Sequence, residues 1–190
     1  AISTIEDYNK LKNVTGGHFI LTNDLEIENY EPFEAKFESF DGNNKVITIK
    51  NFSLPDPRLT SNKANIGLFS TISSGTIVKN LIVAIPNSKR GIYENGSTRQ
   101  YITNLEAYSS VNFGGIAGIN NGIITNCDVV AIKSNLENGY VANFLTTAPS
   151  SVNVGGLVGT NSSSGIITNS RVGRKEVDIL RTSYVGSVVA

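Results

Sequence analysis

Asn112-Phe113-Gly114-Gly115-Ile116-Ala117-Gly118, followed closely by Gly122-Ile123-Ile124-Thr125-Asn126-Cys127, is the stretch that decides the fold. It recurs downstream as Asn153-Val154-Gly155-Gly156-Leu157-Val158-Gly159 with Gly165-Ile166-Ile167-Thr168-Asn169-Ser170. An earlier copy reads Asn65-Ile66-Gly67-Leu68-Phe69, then Gly75-Thr76-Ile77-Val78-Lys79-Asn80-Leu81. The leading glycines, Gly67, Gly114 and Gly155, stand 47 and 41 residues apart, yet each precedes its own strand-ending Asn by only 13, 12 or 14. Steady spacing within copies and drifting spacing between them is what a solenoid gives. Its stacked strands hold register while the connections on one edge change length. The Ile-rich runs favour short strands, and the glycines permit tight corners. Asn at each strand end suits a turn, and stacked Asn columns would satisfy the turn amides from rung to rung. With a β-helix turn of roughly 20 to 25 residues, each copy is expected to hold two rungs. The whole chain would then have about eight rungs and a length of about 40 Å.

Composition narrows the alternatives. The chain has 190 residues, of which 39% are hydrophobic, enough for a lean core in one domain or a slice of a longer repetitive one. Sixteen basic residues balance sixteen acidic ones. A zero net charge argues against a nucleic-acid binder that must neutralise many phosphates and against a polybasic membrane-surface module. No apolar run is long enough to span a bilayer, so direct membrane insertion is not expected. Ala1 stands where a starting Met would, as expected of a processed or excised piece. The single cysteine excludes an internal disulfide and multi-cysteine metal sites. A propeller of similar period wants a Trp-Asp signature, and the chain has no Trp. A β-sandwich with chance similarity between hairpins stays open as an alternative. Disorder, which the neutral polar composition would allow, is opposed by the repeated β-branched runs.

The first third carries 10 of the 16 acids within residues 1–63 and reads differently. Thr4 can cap a short amphipathic helix over residues 5 to 13, with Asp7 in the acidic place of a capping box. Ile5, Tyr8 and Leu11 share one face of it, and Gly16-Gly17 follow. Covering the exposed first rung is its natural task. Phe19-Ile20-Leu21 and Leu25-Glu26-Ile27 look like the first strands, and Asp41-Gly42-Asn43-Asn44 like a turn before Val46. Residues 53 to 63, with Pro55 and Pro57, read as a loop leaving the body. The organisation is therefore one all-β solenoid over 1-190. It comprises a helical cap (1-17), first rungs (18-64), repeats (65-182) and a truncated repeat or end segment (183-190) that includes Tyr184-Val185-Gly186-Ser187.

These residues resemble the GLUG-motif repeat proteins of bacteria, found in surface adhesins and in the non-catalytic N-terminal parts of secreted immunoglobulin A peptidases. The likeness rests on Ile2 to Leu11, on Phe19 to Ile27, on the turn Phe37 to Asn44, and on the repeats Gly115-Ile116-Ala117-Gly118 and Gly156-Leu157-Val158-Gly159. Asn44 and Ser39 depart from the family's pattern, and Gly67-Leu68-Phe69-Ser70 lacks the closing Gly. The loops around 53 to 62 and 83 to 110 and the tail beyond 171 fall outside the likeness. The resemblance implies a right-handed parallel β-helix with a short N-terminal capping helix. It further implies an extracellular or cell-surface setting within a larger secreted protein, and no catalytic residue.

Chemistry-bearing residues are few. His18 has no partner in sequence for base catalysis, and Cys127 follows a strand-ending Asn where a small buried hydrophobe fits. Asp128, Lys133, Glu106 and Lys89 are the candidates for a polysaccharide-cleaving face, but they form no repeated pattern. No cofactor and no metal site is expected, and the Asp41 turn lacks the following acids of a calcium loop. Tyr93, Tyr101, Tyr108 and Tyr140 lie in the variable insertions, where they either stack on a sugar or anchor a protein partner, or seal a loop against the solenoid flank. The expected function is thus a non-catalytic adhesion domain or display scaffold. Its partners would be a host or cell-surface glycan or extracellular protein and the other domains of its parent chain. The alternatives are an accessory domain of a secreted peptidase or glycan-active enzyme, or a polysaccharide lyase or hydrolase.

Overall fold

The strand-forming runs of the sequence close on themselves as a flattened coil, turn stacked upon turn. The computed structural model describes residues 1–85, 92–94, 97–99, 108–131 and 151–173. The first rung supplies β1 (His18–Ile20) and β2 (Leu25–Ile27), and the second β3 (Phe33–Ala35), β4 (Ser39–Asp41) and β5 (Val46–Ile49). The third has four strands, β6 (Lys63–Ile66), β7 (Phe69–Ile72), β8 (Ile77–Lys79) and β9 (Ile82–Ile85). A separate antiparallel hairpin, β10 (Ile92–Glu94) and β11 (Ser97–Arg99), follows. The fourth rung is β12 (Ser110–Phe113), β13 (Ala117–Asn120), β14 (Ile123–Thr125) and β15 (Asp128–Ala131). The fifth is β16 (Ser151–Val154), β17 (Val158–Asn161), β18 (Ile166–Thr168) and β19 (Arg171–Val172). Like positions pair in parallel from rung to rung and build four faces, β6-β12-β16, β3-β7-β13-β17, β1-β4-β8-β14-β18 and β2-β5-β9-β15-β19. The chain is a parallel β-solenoid.

Each sequence copy makes one rung, not two. Residues 63–85 complete a turn, and the next begins only at Ser110, so residues 86–109 are an insertion. The same holds for 132–150 between β15 and β16. Among the described residues there are five rungs, where eight are expected of the chain, and they make a stack of about 24 Å. Where no insertion intervenes, the true repeat shows: His18 pairs with Ser39, 21 positions on. The loops are correspondingly shorter than the sequence suggests, since Ile82–Ile85, Lys63 and Ser110 all belong to strands.

On the third face, alternation places the middle residue of each three-residue strand inside. Phe19, Phe40, Val78, Ile124 and Ile167 form one inward column, and His18, Ser39, Ile77, Ile123 and Ile166 its outward neighbour. Rings crowd the early rungs: Phe33, Phe37 and Phe40 all meet Phe69 at centroid distances of 5.5 to 6.1 Å. The later rungs carry Ile116, Ile124, Val129 and Leu157 in their place.

Glycine serves this stacking by its missing Cβ. A Cβ on Gly114 would lie 2.3 Å from the Cα of Val158 in the next rung. At the third-to-fourth-face corner the need is different. Asn80, Asn126 and Asn169 adopt φ of 53°, 52° and 49°, the left-handed region that Asn tolerates better than other L-residues with a Cβ. Asn126 Nδ2 donates to Asn80 Oδ1 at 2.7 Å, and Asn80 Nδ2 to Asp41 Oδ1 at 3.0 Å. A second column of three runs Asn153 to Asn112 to Asn65, each amide donating to the next carbonyl at 2.8 Å. Such side-chain chains keep polar groups between rungs paired.

The N-terminus fills the place of the two strands the first rung lacks. Helix α1 (Ile5–Lys10) stops sooner than expected and gives way to a single 3-10 turn, Leu11–Asn13, which packs on β3. Tyr8 enters the core edge-on to Phe33, and its hydroxyl shares a hydrogen bond with that of Tyr30 at 3.2 Å. Thr4 caps as the sequence indicates, its Oγ1 accepting from the Asp7 amide at 3.2 Å. Asp7, however, reaches back to Ser3, accepting from its amide and hydroxyl at 3.3 and 3.0 Å.

Two measurements check this account. Gly114→Ala should lower stability in urea by about 1–3 kcal/mol, the usual cost of overpacking. The Lys10 ammonium, with the Ser3 amide and hydroxyl, lowers the Asp7 carboxyl from 3.8 to about 2. A depressed carboxyl stabilises the fold above its unfolded pKa and loses that effect as pH falls through the folded value. The gap in urea midpoint between the native chain and Asp7→Asn is therefore full near neutrality. It closes between about pH 4 and pH 2.

Candidate functional site

All the excursions from the coil leave at one corner, after the fourth face and before the first. Residues 50–62 exit there after β5, 86–109 after β9 and 132–150 after β15. The corner is built as a column. In the first excursion a 3-10 turn, Pro57–Thr60, is capped by Asp56, whose Oδ1 accepts from the Arg58 amide at 2.9 Å. The Ser109 amide and hydroxyl donate to the Asn62 carbonyl at 2.8 and 2.9 Å, and the Ser151 amide donates to the Ser109 carbonyl at 3.2 Å. Return points of successive insertions therefore stack like the rungs themselves.

Of the four tyrosines singled out by sequence, Tyr108 belongs to that column. It is only 2% exposed, and its hydroxyl donates to the Pro55 carbonyl. Burial and the nearby Asp56 charge both push its phenol above the ordinary value. Tyr108 thus seals a loop against the flank and is not an exposed contact, because the first insertion lies directly over it. Tyr93 sits in the middle of β10, opposite Thr98. Tyr101 and Tyr140 lie outside the described residues, as do Glu106, Lys89, Lys133 and the end segment 183-190. The hairpin that carries Tyr93 was absent from the sequence reading. Its signal is Asn95-Gly96, a two-residue loop suited to positive φ between β10 and β11.

The remaining candidates resolve individually. His18 stands on the outside of the third face, with Nδ1 2.9 Å from Ser39 Oγ and Nε2 2.8 Å from Glu38 Oε2. Hydroxyl, imidazole and carboxylate follow the order of a nucleophile relay. An oxyanion would still need free amide donors beside the hydroxyl. Those of Glu38 and Ser39 are committed to the Gly17 carbonyl at 2.9 and 3.2 Å. The cluster ties the first rung to the second. Cys127 is fully buried, and burial raises its thiol to about 11, far from the range of a reactive thiolate.

Asp128 is held by two guanidinium bonds from Arg171 at 3.1 and 3.0 Å, one rung above it. Burial raises the Asp41 carboxyl, but the Asn80 amide, the Asn43 backbone and the Lys79 ammonium outweigh it and leave the group below its usual value. Its oxygens are thus occupied by protein donors. Among the described residues no group of three or more His, Cys, Asp or Glu side chains is placed to hold a metal ion.

Comparison with protein families, with curated proteins and with solved structures finds no match to this chain. The described residues define a class of architecture: a small all-β parallel solenoid with a short helix at its N-terminal end and its insertions gathered on one edge.

Tyr108→Phe tests the corner directly. Removing the hydroxyl leaves the Pro55 carbonyl without its donor, at an expected cost of about 1 kcal/mol. Tyr108→Ala should cost about 3–5 kcal/mol, comparable to emptying an aromatic core site. Both are read from urea unfolding.

Proposed function

We propose that the chain is a non-catalytic, extracellular solenoid domain of a larger bacterial surface or secreted protein, akin to the GLUG-motif repeat proteins, and that it works in adhesion or as a display scaffold. The observation that carries this reading is the single insertion edge. The coil repeats with little change in 63–85, 110–131 and 151–172, while 86–109 and 132–150 differ in length and sequence yet depart from the same corner. A regular stack with all its variation on one side is the arrangement by which solenoids present contact residues. Tyr93, Tyr101 and Tyr140 belong to the inserted sequences and are of the residue type best suited to stacking on a sugar or filling a pocket on an extracellular protein. The reading invokes neither a cofactor nor a nucleic acid.

A glycan and extracellular-matrix binding array with the purified chain tests this. Specific binding is expected, and Tyr93→Ala, Tyr101→Ala and Tyr140→Ala together should abolish it with the β-sheet circular dichroism unchanged. Tyr108 is left intact because its truncation would damage the corner. A blank array from a folded chain would reject adhesion through this edge and leave a spacer or accessory role beside another domain.

A further inference from the structure

The sequence holds four Asn-x-Ser/Thr tripeptides: Asn13-Val14-Thr15, Asn51-Phe52-Ser53, Asn95-Gly96-Ser97 and Asn161-Ser162-Ser163. An N-glycosyltransferase reads such a tripeptide through the Asn carboxamide and the hydroxyl two residues on, so both groups must be within its reach. Asn95 and Gly96 lie outside the described residues. The fold treats the other three very differently.

Asn51 and Asn161 are engaged in the stack. Asn51 Oδ1 accepts from the Asn29 amide at 2.9 Å, and its Nδ2 donates to Asn29 Oδ1 at 2.6 Å. Phe52 beside it is buried, and the Ser53 amide donates to the Tyr30 carbonyl at 2.8 Å. Asn161 Nδ2 donates to the Gly165 carbonyl at 2.9 Å, while its Oδ1 accepts from Asn120 Nδ2 at 2.8 Å. Presenting either carboxamide to an enzyme means unstacking a rung. Asn13 has no such tie. It ends the 3-10 turn that the buried Leu11 anchors, and it is exposed. Val14 donates its amide to the Leu11 carbonyl at 3.1 Å and is extended, at φ −100° and ψ 135°. The residues on either side of an extended residue project to the same side of the chain, and Thr15 is exposed like Asn13. Among the described residues no hydrogen bond engages either side chain. The backbone there is nonetheless held, since Thr15 bridges to Lys36 and the Gly16 amide donates to the Lys36 carbonyl at 3.0 Å.

We propose that Asn13 is an N-glycosylation acceptor of the folded chain, and that the fold withholds Asn51 and Asn161 from the same enzyme. The ligand is a sugar activated at its anomeric carbon by a diphosphate leaving group, carried by a nucleotide or by a polyprenyl lipid. Asn13 Nδ2 attacks the anomeric carbon, and the bond from that carbon to the diphosphate oxygen breaks. The electron pair leaves with the diphosphate, and Nδ2 passes one proton to a base of the transferase. The Thr15 hydroxyl is a recognition contact and takes no part in the bond changes. Modification at this cap is independent of any contact made by the insertion edge.

The test incubates the purified, unmodified full chain with a soluble N-glycosyltransferase of Asn-x-Ser/Thr specificity and UDP-glucose. A second arm supplies an oligosaccharyltransferase and a polyprenyl-diphosphate oligosaccharide. Peptide mapping by mass spectrometry reads each site, with short synthetic peptides of the three described tripeptides as parallel substrates. Sugar on Asn13 is expected in one arm or both, and the arm identifies the donor. Occupancy of Asn51 and Asn161 in the folded chain should be lower by about tenfold or more, because each requires local unfolding, although their free peptides are accepted. Thr15→Val removes only an exposed hydroxyl. It should abolish the Asn13 product and leave the circular dichroism unchanged. A folded chain bare at Asn13 in both arms, a product that survives Thr15→Val, or equal occupancy at Asn51 or Asn161 would overturn the proposal. Refusal of the free Asn51 and Asn161 peptides would overturn it too, by moving the selection from fold to sequence.

Discussion

Parallel strands stacked rung on rung bring main chain against main chain along whole columns, and that contact decides which residues each column accepts. Two demands follow, and they select different residues. Where the neighbouring rung's backbone occupies the space of a Cβ, as at Gly42 beneath Leu81 or Gly114 beneath Val158, only glycine fits. Where the chain must turn within one residue, as at Asn80, Asn126 and Asn169, the requirement is a left-handed φ. Glycine would meet it, but Asn adds a side chain that bonds to the Asn one rung away. The corner therefore gains a hydrogen bond that glycine cannot supply.

This constraint also orders the core. The early rungs cluster most of the large rings, many edge to face, and the fourth and fifth hold mainly aliphatic side chains, with Phe113 against Phe52 as the exception. The ring cluster lies at the helical end, where the first rung offers only two strands and a larger volume must be filled. Tyr8 and Tyr30 occupy it with their hydroxyls bonded to each other, and Tyr30 donates onward to the Leu68 carbonyl, so no phenol there is left without a partner. Desolvation dominates at both groups and drives their pKa values upward, which keeps the pair neutral at any physiological pH.

Much of this was legible in the sequence. The Gly-Gly-aliphatic and Ile-Ile-Thr-Asn elements mark the rungs because stacking imposes the same residue types at the same place in every copy. Thr4 announces the helix start for the same kind of local reason. The rung count was not legible. An insertion leaves no periodic trace, so a period of 41 or 47 residues can hold one rung with a long excursion or two without, and pattern alone does not separate them. Tyr108 shows the complementary blindness. Its place in an insertion leaves open whether it meets a partner or seals the flank, and the choice is set by Pro55, 53 positions earlier in the chain. Asp7 bonds to Ser3 instead of completing a box with Thr4, a choice between adjacent residues that sequence leaves open.

Why variation collects at one corner follows from loop entropy. Closing a flexible connection costs only about 0.6 kcal/mol more for each doubling of its length. Moving a residue within the coil, by contrast, misaligns a glycine or an Asn column and is felt in the rungs on either side. Insertions are therefore tolerated at the corner that neither a glycine column nor an Asn side-chain column crosses. Their ends remain fixed by the stacked bonds from Ser109 to Asn62 and from Ser151 to Ser109. Between those fixed ends, the buried Tyr108 excepted, a change of residue or length shifts no column of the stack. In a solenoid, where each rung answers only to its neighbours, that freedom is local, and recognition chemistry could vary at this edge with little effect on the fold beneath it.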